Sequence, residues 1–186
     1  MLAMMAFAGR LVLLAVLLRW TWIFTARPMR QDVIGSSFLH LVSLPFHEAG
    51  HVFFAPFGDL LMSLGGSLTQ VLVPVICMTA FLTTSPNPFG AAIMAWWTGE
   101  NLMDVAMYID DARSLQLVLL GGMTGGEVEG HDWERILTLA GALHRDHQLA
   151  RIVQFLGVAI AGGALAWAIR IVWAGSTSND ERRTWT

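Results

Sequence analysis

A chain of 186 residues that is 55% hydrophobic and only 13% charged carries about half the charge of an ordinary soluble domain. So little charge would leave large apolar patches facing water, which soluble monomers avoid. The net charge of −3 and the 11 scattered basic residues, all arginine, form no basic patch and exclude a nucleic-acid partner. A single cysteine, Cys77, excludes both an internal disulfide framework and a cysteine-based zinc site, so any metal must be held by histidine and carboxylate.

The first apolar segment, Leu2 to Phe24, is long enough to span a bilayer. Its Arg10 and Arg19 can snorkel to the interface or face the bundle. No small-residue cleavage site follows it, and Trp20 and Trp22 suit an interfacial anchor, so it reads as a retained helix and not a signal peptide. The second, Val33 to Phe57, contains Pro45, which marks a kink or a fresh helix start, and is stopped by Pro56 and Gly58. The third, Leu60 to Leu82, carries the pair Gly65-Gly66, which permits close backbone approach or a break. The fourth, Ala91 to Ile109, holds Glu100 and Asp104.

Asp110 to His147 is the one large polar region. Its glycine-rich start is flexible in composition, and a short amphipathic helix is expected from near Asp132. The last span runs from Gln148 to Ala174, with Gly157/Ala161 and Ala159/Gly163 as small-xxx-small pairs suited to helix packing. The expected fold is all-α, a polytopic integral membrane protein of about five transmembrane helices with a polar loop between the fourth and fifth. Residues 1–175 form one helical domain in the lipid bilayer, and 176–186 form a polar, disordered tail. Arginine placement gives a slight preference for a cytoplasmic C-terminus.

Within the second span lies "SLPFHEAGHVFFAPFG". His47 and His51 are four residues apart, so on a helix they share a face one turn apart. Both imidazoles can then reach one tetrahedral Zn²⁺ at about 2.0–2.1 Å. Glu48 points around the helix and can address a water instead of the metal, acting as general base and then general acid. Three ionisable groups in five residues of an apolar segment are functional candidates, because unpaired they would be costly in a membrane. His40 shares the face if the helix runs unbroken through Pro45, and reads as a helix-contact histidine. A catalytic zinc usually has a third protein ligand and an open position. Glu100, Asp104 and Asp111 make an acidic stripe on the fourth span, with Asn101 and Tyr108 beside it, expected to face the bundle interior.

These features together resemble the site-2 protease type of intramembrane zinc metalloprotease. "HEAGH" matches the family's HExxH, "GGSLTQVLVP" its glycine-containing segment, and "NLMDVAMYIDDA" the place of its third core helix. The resemblance covers Phe38 to Ala112, within a metalloprotease core at 33–112. It implies that an aspartate after an asparagine supplies the third zinc ligand. Asp111 is that candidate by its separation from Asn101 and its place at the helix end, with Asp110 one residue nearer but facing another way, and Asp104 the deeper alternative. The chain departs from the family's NxxPxxxxDG, having no proline after Asn101 and no glycine after Asp110 or Asp111.

In "HDW", His131 can be a fourth ligand, a transition-state donor or part of a helix cap, with Asp132 a normal N-cap residue type. His144 and His147 read as solvated. The resemblance implies a Zn²⁺-dependent endopeptidase acting on a membrane protein or peptide substrate; helix termini or Asn101 are the candidate oxyanion donors. The alternative is a proteolytically inactive membrane scaffold or regulator that retains the fold. A metal transporter is disfavoured, since the ligands form one cluster and not a path.

Overall fold

The structure, a computed structural model, describes residues 1–26, 37–120 and 122–183, with residues 2, 3 and 175–183 described by their backbone alone. Helix accounts for 81% and no strand forms among the described residues. Among the described residues six α-helices follow in order: α1 Leu2–Ala26, α2 Phe38–Phe54, α3 Asp59–Thr83, α4 Pro88–Asp110, α5 Asp132–Leu139 and α6 Asp146–Arg183. The start expected for the second span, Val33 to Ser36, lies outside the described residues.

Helix α2 begins where the Ser37 hydroxyl accepts the His40 backbone N–H at 3.1 Å, an N-cap that satisfies one of the unpaired donors of the first turn. It runs through Pro45 and ends at Phe54, so Pro45 neither restarts nor stops it. A short 3₁₀ turn over Ala55–Phe57 follows. Gly58, at φ +94°, then takes the left-handed conformation that reverses the chain without a Cβ penalty. Asn87 caps α4 through the Gly90 N–H at 3.0 Å, with Pro88 in the first turn.

Helix α4 is the centre of the bundle. Ala91, Ala92, Trp96, Met103, Ala106 and Ile109 on it are all buried, and it packs along α6 and α3. Against α6 the backbones come close: a Cβ on Gly99 would sit 2.6 Å from the Gly157 carbonyl oxygen and 3.0 Å from the Ala161 Cβ. The expected Gly157/Ala161 pair is therefore the packing surface, whereas Gly163 has open space around it. Helices α2 and α3 approach equally closely, because a Cβ on Gly50 or Gly65 would collide with the other's carbonyl. At the outer end, Trp96 donates its indole N–H to Thr21 at 2.8 Å and stacks with Trp20 at 6.3 Å between ring centroids. Trp20 thus packs inward, while Trp22 stays exposed. The Arg10 guanidinium lies 5.1 Å over the Phe89 ring, a cation–π contact that turns this charge toward the bundle.

Among the described residues, three helical stretches are long and apolar enough to cross a membrane: Met4–Ala26, Asp59–Thr83 and Leu143–Ala174. The five expected spans are thus reduced to three by this measure. Helix α2 has 17 residues, short of the roughly 20 a span needs. Helix α4 is diluted by Glu100, Asp104 and Asp110 and is wrapped by protein. Helix α6 continues to Arg183, so most of the expected disordered tail is helical.

Candidate metal centre

His47 and His51 lie one turn apart on α2, and what faces them is Gly66 of α3. A Cβ at Gly66 would be 2.6 Å from Nε2 of both histidines, so only glycine leaves room for the rings to converge. Each Nδ1 has an oxygen partner: Gln70 Oε1 at 3.0 Å for His47 and the Met62 carbonyl at 2.8 Å for His51. An amide or peptide oxygen can only accept, so both Nδ1 atoms carry the hydrogen. In the neutral rings the lone pairs are then on Nε2, and both Nε2 atoms point at the same place.

The third atom there is Asp132 Oδ2, 3.3 Å from each Nε2. The three ligand atoms lie within 4.8 Å of one another. Two donors held at 2.0–2.1 Å from one tetrahedral ion are about 3.3 Å apart, so the spacing fits Zn²⁺ and the His₂Asp donor set fits its chemistry. Burial pushes the Asp132 carboxyl up, but the hydrogen bonds and charges of His47 and His51 outweigh this and hold it below the usual carboxylate range.

Asp132 is the first residue of α5, and its placement is built from long-range contacts. His131 caps the helix, its Nδ1 accepting the Glu134 N–H at 3.1 Å. That acceptor role puts the imidazole hydrogen on Nε2, which faces Asp111 Oδ2 at 3.3 Å. The Tyr108 hydroxyl accepts the Asp132 N–H at 3.3 Å, and the Tyr108 ring packs against His131 at a tilt of 48°, 4.3 Å between ring centroids. Trp133 donates to Ser67 Oγ on α3 at 3.0 Å, and Arg135 pairs with Asp59 at 2.5 Å. Helix α5 is thereby clamped to the segment of α3 that contains Gly66.

The structure brings His47, His51 and Asp132 together, and places Asp111 elsewhere. Asp111 accepts from Ser114 Oγ at 2.6 Å and from the backbone N–H groups of Gln116 and Leu117 at 2.9 and 2.8 Å. Its carboxylate organises the loop after α4 and also faces His131, the residue that caps α5. His131 is a cap and a spacer, and it is Asp132, read from sequence as capping chemistry, that reaches the histidines. Asp104 lies behind Gln70, which donates to it at 2.6 Å. Glu100 is fully buried one turn before Asp104, with no hydrogen-bond partner for either carboxylate oxygen among the described residues. Asn101, the expected oxyanion donor, gives its side-chain N–H to the Trp97 carbonyl at 2.9 Å and does not line the cavity. His147 bonds Asp110 at 2.7 Å at the base of α6.

A cavity of about 730 Å³ opens over the three converging atoms, and Glu48 lines it together with them. Its remaining wall is mostly apolar, with Leu44, Val105 and the Leu117–Leu120 segment. No protein-family profile, curated protein or solved structure matches the chain.

Two expected results follow from this geometry. Gly66→Ala inserts a methyl where both imidazoles meet. It should cost about 1–3 kcal/mol of stability by overpacking and weaken zinc binding on the order of 100-fold, measured by thermal unfolding and chelator competition in detergent. For Asp111, burial raises the carboxyl, but His131, Ser114 and the Leu117 and Gln116 N–H groups hold it below the usual range. Its stabilising contribution is therefore complete above about pH 4, the unfolded-state value, and is lost as pH falls through the lower folded value. Asp111→Asn replaces one acceptor oxygen by an NH₂ group that cannot accept, and should cost about 1–3 kcal/mol. Faster hydrogen exchange at the Gln116 and Leu117 amides would report it.

Proposed function

We propose that this chain is an integral, multi-pass membrane zinc endopeptidase of the site-2 protease type that hydrolyses peptide bonds of membrane-embedded substrates. The observation that carries this reading is the convergence of His47 Nε2, His51 Nε2 and Asp132 Oδ2 on one point, in a cavity that Glu48 also lines. Three protein ligands with an open side are the arrangement of a catalytic zinc and not of a structural one.

A bound Zn²⁺ supplies Lewis acidity, lowering the pKa of water to about 7 and polarising a carbonyl. The chain's own residues do the rest. The Glu48 carboxylate takes a proton from the attacking water as its oxygen bonds to the scissile carbonyl carbon. It then returns that proton to the amine nitrogen as the C–N bond breaks. With their Nδ1 hydrogens engaged by Gln70 and Met62, His47 and His51 would turn Nε2 to the ion. The apolar cavity wall suits an unwound apolar segment of substrate. Membrane placement is supported by the three long apolar helices and by large exposed apolar side chains on them, among them Trp22, Phe155 and Trp173.

The test is hydrolysis of synthetic transmembrane peptides by the zinc-loaded protein in detergent or bilayer discs, followed by mass spectrometry. Cleavage that 1,10-phenanthroline stops and added Zn²⁺ restores is the expected result. Stoichiometric zinc with no cleavage across a broad peptide panel would instead favour a scaffold that has kept the site without the reaction.

A further inference from the structure

We propose that Asp104 is a positioning residue for the metal centre: it acts through Gln70 to fix which nitrogen of His47 faces the metal, and His40 holds it in that role. The inference rests on the metal reading of the His47/His51/Asp132 site, and extends it to three residues on three helices that are not among the converging ligand atoms.

The two histidine ligands are oriented differently. His51 Nδ1 faces the Met62 carbonyl at 2.8 Å, and a backbone carbonyl can only accept, so nothing further is needed to set its tautomer. His47 Nδ1 faces a glutamine side chain at 3.0 Å. A primary amide turned by half a revolution presents NH₂ in place of oxygen. In that orientation it would favour hydrogen on His47 Nε2, and the ligand lone pair would point away from the centre. Something must choose the orientation of Gln70.

Asp104 makes that choice. Its Oδ2 lies 2.6 Å from Gln70 Nε2, and an ionised carboxylate only accepts, so the NH₂ end of Gln70 must face it and Oε1 must face His47. His40 Nδ1 lies 3.1 Å from both Asp104 oxygens and, as a donor, reinforces the acceptor character of that carboxylate. Donation thus runs from His47 on α2 to Gln70 on α3 and from Gln70 to Asp104 on α4. His40 on α2 donates into the same carboxylate from the other side, so Asp104 is the common acceptor that fixes every role. Gln70 and Asp104 are 4% and 7% exposed. Few waters can therefore substitute for a partner, and each mismatch costs the desolvation of a buried polar group. Apolar side chains would pack three helices together at lower desolvation cost, so the polar chain is better explained by what it does to His47.

The experiment is a double-mutant cycle on zinc affinity, read by chelator competition on the full chain in detergent, with helical circular dichroism as the check on folding. The shape-conserving variants Asp104→Leu and Gln70→Met should each weaken zinc binding about 10–100-fold. The double variant should be no weaker than the worse single one, since Asp104 acts only through Gln70. Asp104→Asn keeps an acceptor oxygen for Gln70 and should recover most of the affinity, which loss of packing would not predict. Should Asp104→Leu fail to fold, His40→Leu at the more exposed end of the chain carries the test, with a several-fold loss expected. Wild-type affinity in the single variants, or losses that multiply in the double, would overturn the proposal while leaving the centre itself intact. A wild-type protein that takes up no zinc would overturn the metal reading itself.

Discussion

Asp132→Ala is expected to remove stoichiometric zinc from the purified protein. In the proposed centre the three residues would share one ion, and structural zinc sites with four ligands bind with about 10–16 kcal/mol. Losing one ligand should then cost on the order of 10²–10³-fold in affinity. The two histidines alone cannot make up the difference, because Asp132 is the one anionic group within 3.3 Å of both Nε2 atoms among the described residues. The informative comparison is with Asp111→Ala. Asp111 does not reach the histidines, but it fixes His131, which caps the helix that carries Asp132. Its loss should loosen the loop and weaken zinc on the order of tenfold, without abolishing binding. Elemental analysis after gel filtration, with chelator competition, separates the two. If alanine at 132 leaves zinc in place while alanine at 111 removes it, the assignment of the third ligand is wrong.

What sequence could and could not reveal about this centre follows from how each part is encoded. His47 and His51 are legible because helix periodicity alone places them together, and the Gly65-Gly66 pair is legible as a close approach even before its partner is known. The acidic face of α4 was expected to point inward, and Asp104 does so. Asp132 was out of reach for a physical reason. It lies 85 residues from His47, on a short helix whose position depends on Trp133 meeting Ser67 and Arg135 meeting Asp59. No local pattern encodes those contacts. Its type and place were read as capping, which was nearly right: the helix does start there, but His131 makes the cap and leaves the carboxylate free. Asp111 misled for a related reason. An acid at a helix end has two kinds of use, and here Ser114, Gln116 and Leu117 occupy it locally. Five spans were expected and three described helices are long and apolar enough to cross a membrane, and apolar composition does not by itself distinguish a face against lipid from one against protein. Helix α4 is apolar largely because α6 and α3 cover it. Even the small-residue pairs of α6 divide on this point, Gly157 meeting α4 and Gly163 meeting nothing.

Glu48→Gln should leave zinc content and affinity unchanged and remove turnover. The two side chains have nearly the same shape, and Glu48 is not among the converging ligand atoms, so the substitution changes proton affinity and little else at the centre. An amide cannot take the proton of the attacking water, nor deliver one to the leaving amine. General acid–base catalysis by one positioned group is worth about 10²–10⁴-fold. Here one carboxylate would serve both half-steps, so the loss should lie at the upper end of that range, below detection in a gel-based cleavage assay. Glu48→Asp gives a sharper contrast. It keeps the chemistry but withdraws the carboxylate by one methylene, and a general base acts only within about 2.6–3.2 Å of the proton it removes. Its rate should fall between wild type and the glutamine variant, with zinc again retained. If Glu48→Gln cleaves membrane peptides at the wild-type rate, Glu48 is not the base. The centre would then need another proton acceptor at the cavity wall, where Glu129 is the carboxylate not already engaged with the histidines or with Gln70.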